Sequence, residues 1–358
     1  MKTLGNFLEE LRLAKGLVIR ELSAISGIDA ALISKFEKGK RIPTEANIKS
    51  LSLGLDIDFE ALRKKWLEER IVNLVKYEQD ASEILALAES RAEYLLSENA
   101  LILPKISSTI EDKLQILDEL KLRWKDAKPL NATQISKMKE YFNVEYTYES
   151  NRIEGNTMTL QETHLVINEG LTIAGKSMRE HLEAVNHNDA IQFIDELSFK
   201  KESFSKRSLM EIHYLVLKGI DRENAGKFRS VPVRISGSEH VPPQPYMLEK
   251  LMEDYFFHFQ QQKHILHPVL LAAEMHERLV SIHPFVDGNG RTSRLVMNML
   301  LLKNGFTIAN LKGDFDSRMT YYKALENVQL NNNPEPFYNL VIDAVTSSLQ
   351  RHLELAGG

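Results

Sequence analysis

Apolar residues recur three and four positions apart along nearly every long segment of the chain, and runs of alternating apolar and polar residues are scarce. That periodicity predicts a mostly α protein. Residues 3–55 divide into short helices punctuated at Gly16, Gly27, Gly39 and Pro43, the pattern of a compact small bundle. From Phe59 to Ala100 the sequence is charged, helical in period and free of Gly and Pro, until Leu101 to Pro104 interrupt it. This stretch predicts a helical connector whose apolar stripe packs on the rest of the chain or on a second copy. From about Lys128 to Ser348 the helical period returns. Its one exception is Val231-Pro232-Val233-Arg234-Ile235, followed by Ser236-Gly237-Ser238 and Pro242-Pro243, which predicts a short β-hairpin. The expected domains are therefore 1–57, a connector 58–126, and a body 127–350.

A length of 358 residues exceeds what one core usually serves, in keeping with several units. With 43% hydrophobic and 27% charged residues the chain has the makeup of an ordinary globular protein. It contains no cysteine, which removes disulfides and thiolate metal sites and points to a reducing compartment, with the cytoplasm expected. Glu9, Glu10 and Arg12 interrupt the first apolar residues, so no signal peptide is expected. The longest apolar runs, such as Leu295 to Leu302, fall far short of the roughly 20 residues that span a bilayer, and no membrane partner is expected. Charge is uneven: residues 1–50 carry a balance of +3 and the remainder −8. A basic head on an acidic body suggests a polyanion partner for the head alone.

Chemistry concentrates in residues 283–294. Gly288-Asn289-Gly290 stands directly before a helical run, where backbone N–H groups and the helix dipole form a cradle for phosphates. Arg291 and Arg294, three apart on that helix, can both fork onto phosphate oxygens. Asp287 offers a hard oxygen ligand for Mg²⁺ bridging two phosphates. His283 is a general base for an attacking hydroxyl, and Phe285 is expected to anchor the loop in the core. Each residue alone is unremarkable in type; their conjunction within a single loop and first helical turn is what carries the reading.

The stretch His283-Pro284-Phe285-Val286-Asp287-Gly288-Asn289-Gly290-Arg291-Thr292-Ser293-Arg294 resembles the signature of the Fic (filamentation induced by cAMP) domain family, over roughly residues 128–348. The resemblance implies an all-helical fold with a hairpin flap and transfer of AMP from Mg-ATP to a Ser, Thr or Tyr hydroxyl of a target protein. It gives His283 the role of base, Asp287 that of Mg²⁺ ligand, Gly288 to Gly290 that of phosphate cradle, and Arg291 and Arg294 that of clamps. The flap falls at 231–243, with Val233, Ile235 and Gly237 expected to dock an extended segment of the target. Tyr321-Tyr322 stands where the family puts an aromatic residue near the adenine; stacking and core packing are both open for it. Ser150-Asn151-Arg152-Ile153-Glu154-Gly155-Asn156 resembles an inhibitory motif of one class of Fic proteins, in which Glu154 would pair with Arg294 and obstruct the γ-phosphate site.

In the head, Arg20 to Gly39 has helix-turn-helix spacing, with Leu22, Ile25, Ile28, Ile33 and Phe36 expected to share a core. Residues 4–56 resemble the phage-repressor-like (Cro-type, XRE) DNA-binding family. The resemblance implies that Ala30, Ala31, Ser34 and Lys35 face base edges, that Lys38, Lys40 and Arg41 meet phosphates, and that the protein is a homodimer. A role as a protein-contact module stays open.

Two function classes follow. One is a self-inhibited protein adenylyltransferase, with UMP transfer, phosphate transfer or AMP removal as variants. The other is a transcription regulator whose body senses nucleotide. The intact His283 favours the first, because a sensor needs the cradle but not the base. Zinc hydrolysis is excluded by Val280, which stands where a second histidine would have to follow His276-Glu277.

Overall fold

The computed structural model describes residues 3–78, 80–82, 84–85, 106–127, 132–200, 202–235 and 237–357. Ser236 and Leu101 to Pro104, both singled out above, lie outside the described residues. Among the described residues there are α-helices and one short 3₁₀ turn but no β-strand, in accord with the helical period. Two compact units divide at Leu101 and Ile102.

The first unit holds α1 (Leu4–Ala14), α2 (Ile19–Ser26), α3 (Ala30–Glu37), α4 (Glu45–Gly54) and α5 (Phe59–Val75). Capping side chains begin several of these helices: Thr3, Asp29, Thr44 and Asp58 each accept a first-turn N–H. Leu8, Leu22, Ile28, Ile33, Phe36, Ile48 and Leu51 form the core. Leu62 and Trp66 of the expected connector belong to the same core, and Trp66 Nε1 donates to Pro43 O at 2.8 Å. Ile25, expected inside, is exposed; on a short helix only the face shared with Leu22 reaches the core. Arg12 and Glu37 are both buried and make a two-bonded pair, Nε to Oε1 at 2.6 Å and Nη2 to Oε2 at 3.0 Å.

The second unit contains α6 (Ser108–Asp126), α7 (Ala132–Ile153), α8 (Leu160–Asn168), α9 (Met178–Phe199), α10 (Lys206–Leu217), α11 (Leu248–Gln262), α12 (Pro268–Ile282), α13 (Asn289–Lys303), α14 (Phe315–Asn331) and α15 (Glu335–Ala356). Helix α13 is its axis. Its residues from Arg291 to Leu301 are all buried, and it packs on α7, α9, α10 and α12. A helix apolar or buried all round must sit inside a bundle, and here that burial places both motif arginines in the interior. Helix α6, at the end of the expected connector, packs on α15 and adds Ile110, Leu114, Leu117 and Leu120 to this core.

Residues 231–243 do not form the expected hairpin: no strand occurs there among the described residues. The alternation of Val231, Val233 and Ile235 resembles a strand, yet Pro232, Pro242 and Pro243 have no N–H to give a ladder. The two arms are held instead by Arg229, whose Nη1 donates to Val231 O at 3.0 Å and whose Nη2 donates to Pro243 O at 2.6 Å.

Candidate active site around the 283–294 loop

Helix α12 begins with Pro268 at its first position and stops at His283, a non-glycine residue in the left-handed region with φ 51°. The loop that follows is fixed from within by Asn289. Its side-chain oxygen accepts from Phe285 N at 3.0 Å and its amide donates to Phe285 O at 2.9 Å. Asn289, expected in the phosphate cradle, therefore spends its side chain on the loop. Phe285 is fully buried and stacks on His213 with ring centroids 3.6 Å apart. His213 Nδ1 accepts from Gly226 N, so its Nε2 carries the proton given to Asp287 O at 3.0 Å. Burial pushes the His213 imidazole down to about 4, which keeps it neutral in this role.

His283 Nδ1 donates to Val280 O at 3.2 Å, leaving the Nε2 lone pair free. Burial, the largest influence, lowers its pKa, and the positive charge of Arg229 acts in the same direction. The ring is thus an unprotonated base near neutral pH. Asp287 Oδ1 accepts from Gly288 N at 2.6 Å, and Oδ2 accepts from Arg179 Nη2 at 2.6 Å. Burial alone would raise the Asp287 carboxyl, but Arg291 and the Gly288 N–H outweigh it and hold it below the usual range.

Gly288 has φ 76°, so it turns the chain into α13 in a conformation that a side chain would strain, and a β-carbon there would also meet Val216 and His213. Arg291 and Arg294 are both buried on the first turns of α13. Arg291 Nη1 stands 3.2 Å from Glu183 Oε1 and Nη2 stands 3.6 Å from Asp287 Oδ1. Arg294 donates from Nε to Ser150 Oγ at 3.0 Å and from Nη2 to Ser150 O at 2.9 Å and Glu154 Oε1 at 2.7 Å. Burial works against this charge, but the Glu154 carboxylate prevails and holds Arg294 firmly protonated. Arg291 Nε and Arg294 Nη1 are buried without a hydrogen-bond acceptor, and Arg291 Nη1 meets Glu183 as an ion pair outside hydrogen-bond geometry. Unsatisfied buried guanidinium N–H groups beside a helix N-terminus make a site suited to an anion.

Of the two tyrosines, Tyr321 faces the core: it is buried and its hydroxyl pairs with His276 Nε2 at 2.9 Å. Tyr322 keeps an exposed part and donates to Ile153 O at 3.2 Å, one residue before Glu154. Val233 and Ile235 are half-buried, and Gly237 is exposed at φ 78°. In the first unit Lys35, Lys38, Lys40 and Arg41 are exposed on and just after α3, and Ser34 is half-buried.

Sequence reasoning missed three residues at this site. Arg179 and Glu183 lie one turn apart on α9, whose first turn is fixed by a reciprocal cap between Ser177 and Glu180. Arg179 meets Asp287, and Glu183 joins Arg179 Nε, Arg291 Nη1 and Asn156 Nδ2. Arg229 is the third, donating from Nε to His283 O at 2.8 Å. Among the described residues no three His, Asp or Glu side chains converge as a metal cage.

Residues 203–301 match the Fic/DOC family, and residues 8–62 match a helix-turn-helix family. A protein adenylyltransferase Fic from Nematostella vectensis is 35% identical over 254 residues, covering 70% of this chain and 58% of the relative. The chain thus spans little over half the length of that relative. Among solved structures, a Fic domain containing signaling protein from Bacteroides thetaiotaomicron aligns with a TM-score of 0.62 at 27% identity, covering 68% of this chain and 98% of that one. Fic-1 from C. elegans aligns with a TM-score of 0.62 at 24% identity, covering 94% and 96%, and supports the fold.

Proposed function

We propose that the chain transfers AMP from ATP to a protein hydroxyl and that Glu154 holds this activity down; the matches of residues 203–301 to the Fic/DOC family and of residues 8–62 to a helix-turn-helix family support this reading. The observation that carries the reading is the 2.7 Å contact between Arg294 Nη2 and Glu154 Oε1, whose carboxylate also acts electrostatically on His283, a base that burial keeps neutral. In the reaction His283 Nε2 takes the hydroxyl proton as the hydroxyl oxygen bonds to the α-phosphorus. The bond from that phosphorus to the bridging oxygen breaks, and pyrophosphate leaves. The backbone N–H groups at Gly288 to Gly290 and the guanidinium of Arg291 would hold the phosphates.

Mg²⁺ fits a lone carboxylate such as Asp287, since this ion takes one or two protein ligands and completes its shell from phosphates and water. When bound it would neutralise charge on the phosphate chain. Arg179, which holds Asp287 Oδ2 at 2.6 Å, would share or give up that oxygen on ligation.

A carboxylate and a γ-phosphate compete for Arg294, so a nucleotide that binds against Glu154 is misaligned for attack. Tyr322, with its exposed face, suits an adenine better than the enclosed Tyr321. For the head, the exposed Lys35, Lys38, Lys40 and Arg41 support DNA binding by α3, in a homodimer. The neutral, tautomer-fixed His283 favours catalysis over nucleotide sensing. Incubation of the Glu154→Gly protein with each of four α-labelled nucleotides and a cell lysate tests the reading. Label from ATP, lost with His283→Ala, is expected; label from another nucleotide instead of ATP moves the substrate, and label from none removes transfer.

A further inference from the structure

Arg229 is 4% exposed, and three of its guanidinium nitrogens are spent on main-chain carbonyls: His283 O, Val231 O and Pro243 O. Its own N–H adds a fourth link, to Pro284 O at 2.9 Å. Among the described residues no carboxylate lies within ion-pair range of it, so carbonyl dipoles alone stabilise a buried charge. Leaving such a charge without a counter-ion is expensive, so the four hydrogen bonds to carbonyls have to be held in place together.

What it joins is informative. His283 sits in the left-handed region, where a non-glycine residue is held by its surroundings rather than by preference. The 231–243 arms cannot zip together because prolines stand at 232, 242 and 243. His240, from the same segment, donates from Nε2 to Ser281 O at 2.8 Å and makes a second tie to the end of α12. The main chain at Ser281 to Pro284 and the two arms of the segment are therefore one fastened assembly with Arg229 at its centre.

We propose that Arg229 is a positioning residue for group transfer: its guanidinium sets the 231–243 segment and the His283 backbone in one register, so that an extended acceptor held by the segment presents its hydroxyl to His283 Nε2. The proposal rests on the transfer reading for its consequence and on these bonds for its geometry. A planar guanidinium sends N–H groups in three in-plane directions at once; a lysine ammonium cannot satisfy three divergent carbonyls from one stem. Loss of alignment, with the phosphate cradle intact, harms the chemical step and spares nucleotide binding.

The test uses the full chain in the Glu154→Gly background, alone and with Arg229→Lys, Arg229→Gln or His283→Ala. Three quantities are read: protein labelling from α-labelled ATP, affinity for a non-hydrolysable ATP analogue with Mg²⁺, and tryptic cleavage between the exposed Arg234 and the half-buried Ile235. Labelling is expected to fall by about tenfold or more in both Arg229 variants, since misplacement by ~1 Å costs up to about a hundredfold. Cleavage after Arg234 should accelerate by about tenfold as charge-assisted bonds are lost, while analogue affinity stays within about twofold. Unchanged cleavage and labelling overturn the proposal. So does a loss of analogue affinity that parallels the loss of labelling, which would make Arg229 a folding residue. If the Glu154→Gly protein itself takes no label, the transfer reading fails, and cleavage after Arg234 still decides whether the fastening exists.

Discussion

Glu154 lies over Gly290 so closely that a β-carbon at position 290 would overlap its Oε1 oxygen. Gly290 does not have the positive φ of Gly288, so what it supplies is room. Whatever replaces Glu154 on Arg294 must use the same space. Gly290→Ala is therefore expected to lower nucleotide affinity by about tenfold or more even when Glu154 is already Gly, because a methyl group then stands in the cradle itself. Calorimetric titration of Gly290→Ala/Glu154→Gly against Glu154→Gly with Mg²⁺ and an ATP analogue checks this; equal affinities would show that the nucleotide does not approach position 290.

Arg179 Nη2 occupies Asp287 Oδ2 at 2.6 Å, the oxygen at which a cation would be held in the proposed reaction. Its side chain is 57% exposed, so the contact is worth no more than about 1 kcal/mol. In the Glu154→Gly background, Arg179→Ala should lower the Mg²⁺ concentration for half-maximal labelling by roughly twofold to fivefold, the ratio such an energy gives. A rise in that concentration would mean that Arg179 helps hold the metal–phosphate group instead of excluding it.

Much of this site could be read in sequence because its members are neighbours in sequence. Base, carboxylate, glycines and arginines follow one another within residues 283–294, and the turn into a helix makes their order spatial. Glu154 is 140 residues from Arg294 yet stands in a patterned motif of its own. Arg179 has no such pattern: it lies 108 residues from Asp287, at a helix start where charged residues are common. Arg229 and Glu183 are equally plain in sequence, because their roles come from how α9 packs on α13 and how the 231–243 segment is tied to the end of α12 and the loop after it. The fold itself followed from helical period, which tertiary contacts reinforce. The hairpin was misread because apolar alternation signals a strand only where N–H groups are available to pair, and three prolines remove them. Ile25 was misread because period alone does not say how wide a face a short helix buries.

His213 stays neutral in the folded protein down to about pH 4, whereas an exposed histidine takes a proton near 6.5. The unfolded chain thus binds a proton that the folded chain refuses between those values. Its contribution to stability is complete above about pH 6.5 and is lost as the pH falls toward 4, by up to about 3 kcal/mol. Urea unfolding at pH 7 and pH 4.5 should show a smaller acid loss in His213→Gln than in the parent protein. An identical loss in both would place the acid sensitivity elsewhere.

In the first unit the buried Arg12–Glu37 pair ties α1 to α3. Replacing Glu37 by Ala strands the guanidinium and should cost about 3–5 kcal/mol, most of the stability of so small a core. Replacing both, as Arg12→Met with Glu37→Leu, should restore much of it. Amide exchange across residues 4–14 and 30–37 in the full chain reports the outcome, and unchanged protection in Glu37→Ala would show that the pair contributes little.

In the proposed function the 283–294 loop transfers AMP and the Glu154–Arg294 contact restrains it. The most direct measurement is label incorporated into protein from α-labelled ATP by wild type, Glu154→Gly, and Glu154→Gly/His283→Ala at equal concentration. Freeing Arg294 from one charged hydrogen bond of ~1.5–3 kcal/mol should raise labelling at least about tenfold, and removing the base should return it to background. Equal or lower labelling in Glu154→Gly than in wild type would contradict the account.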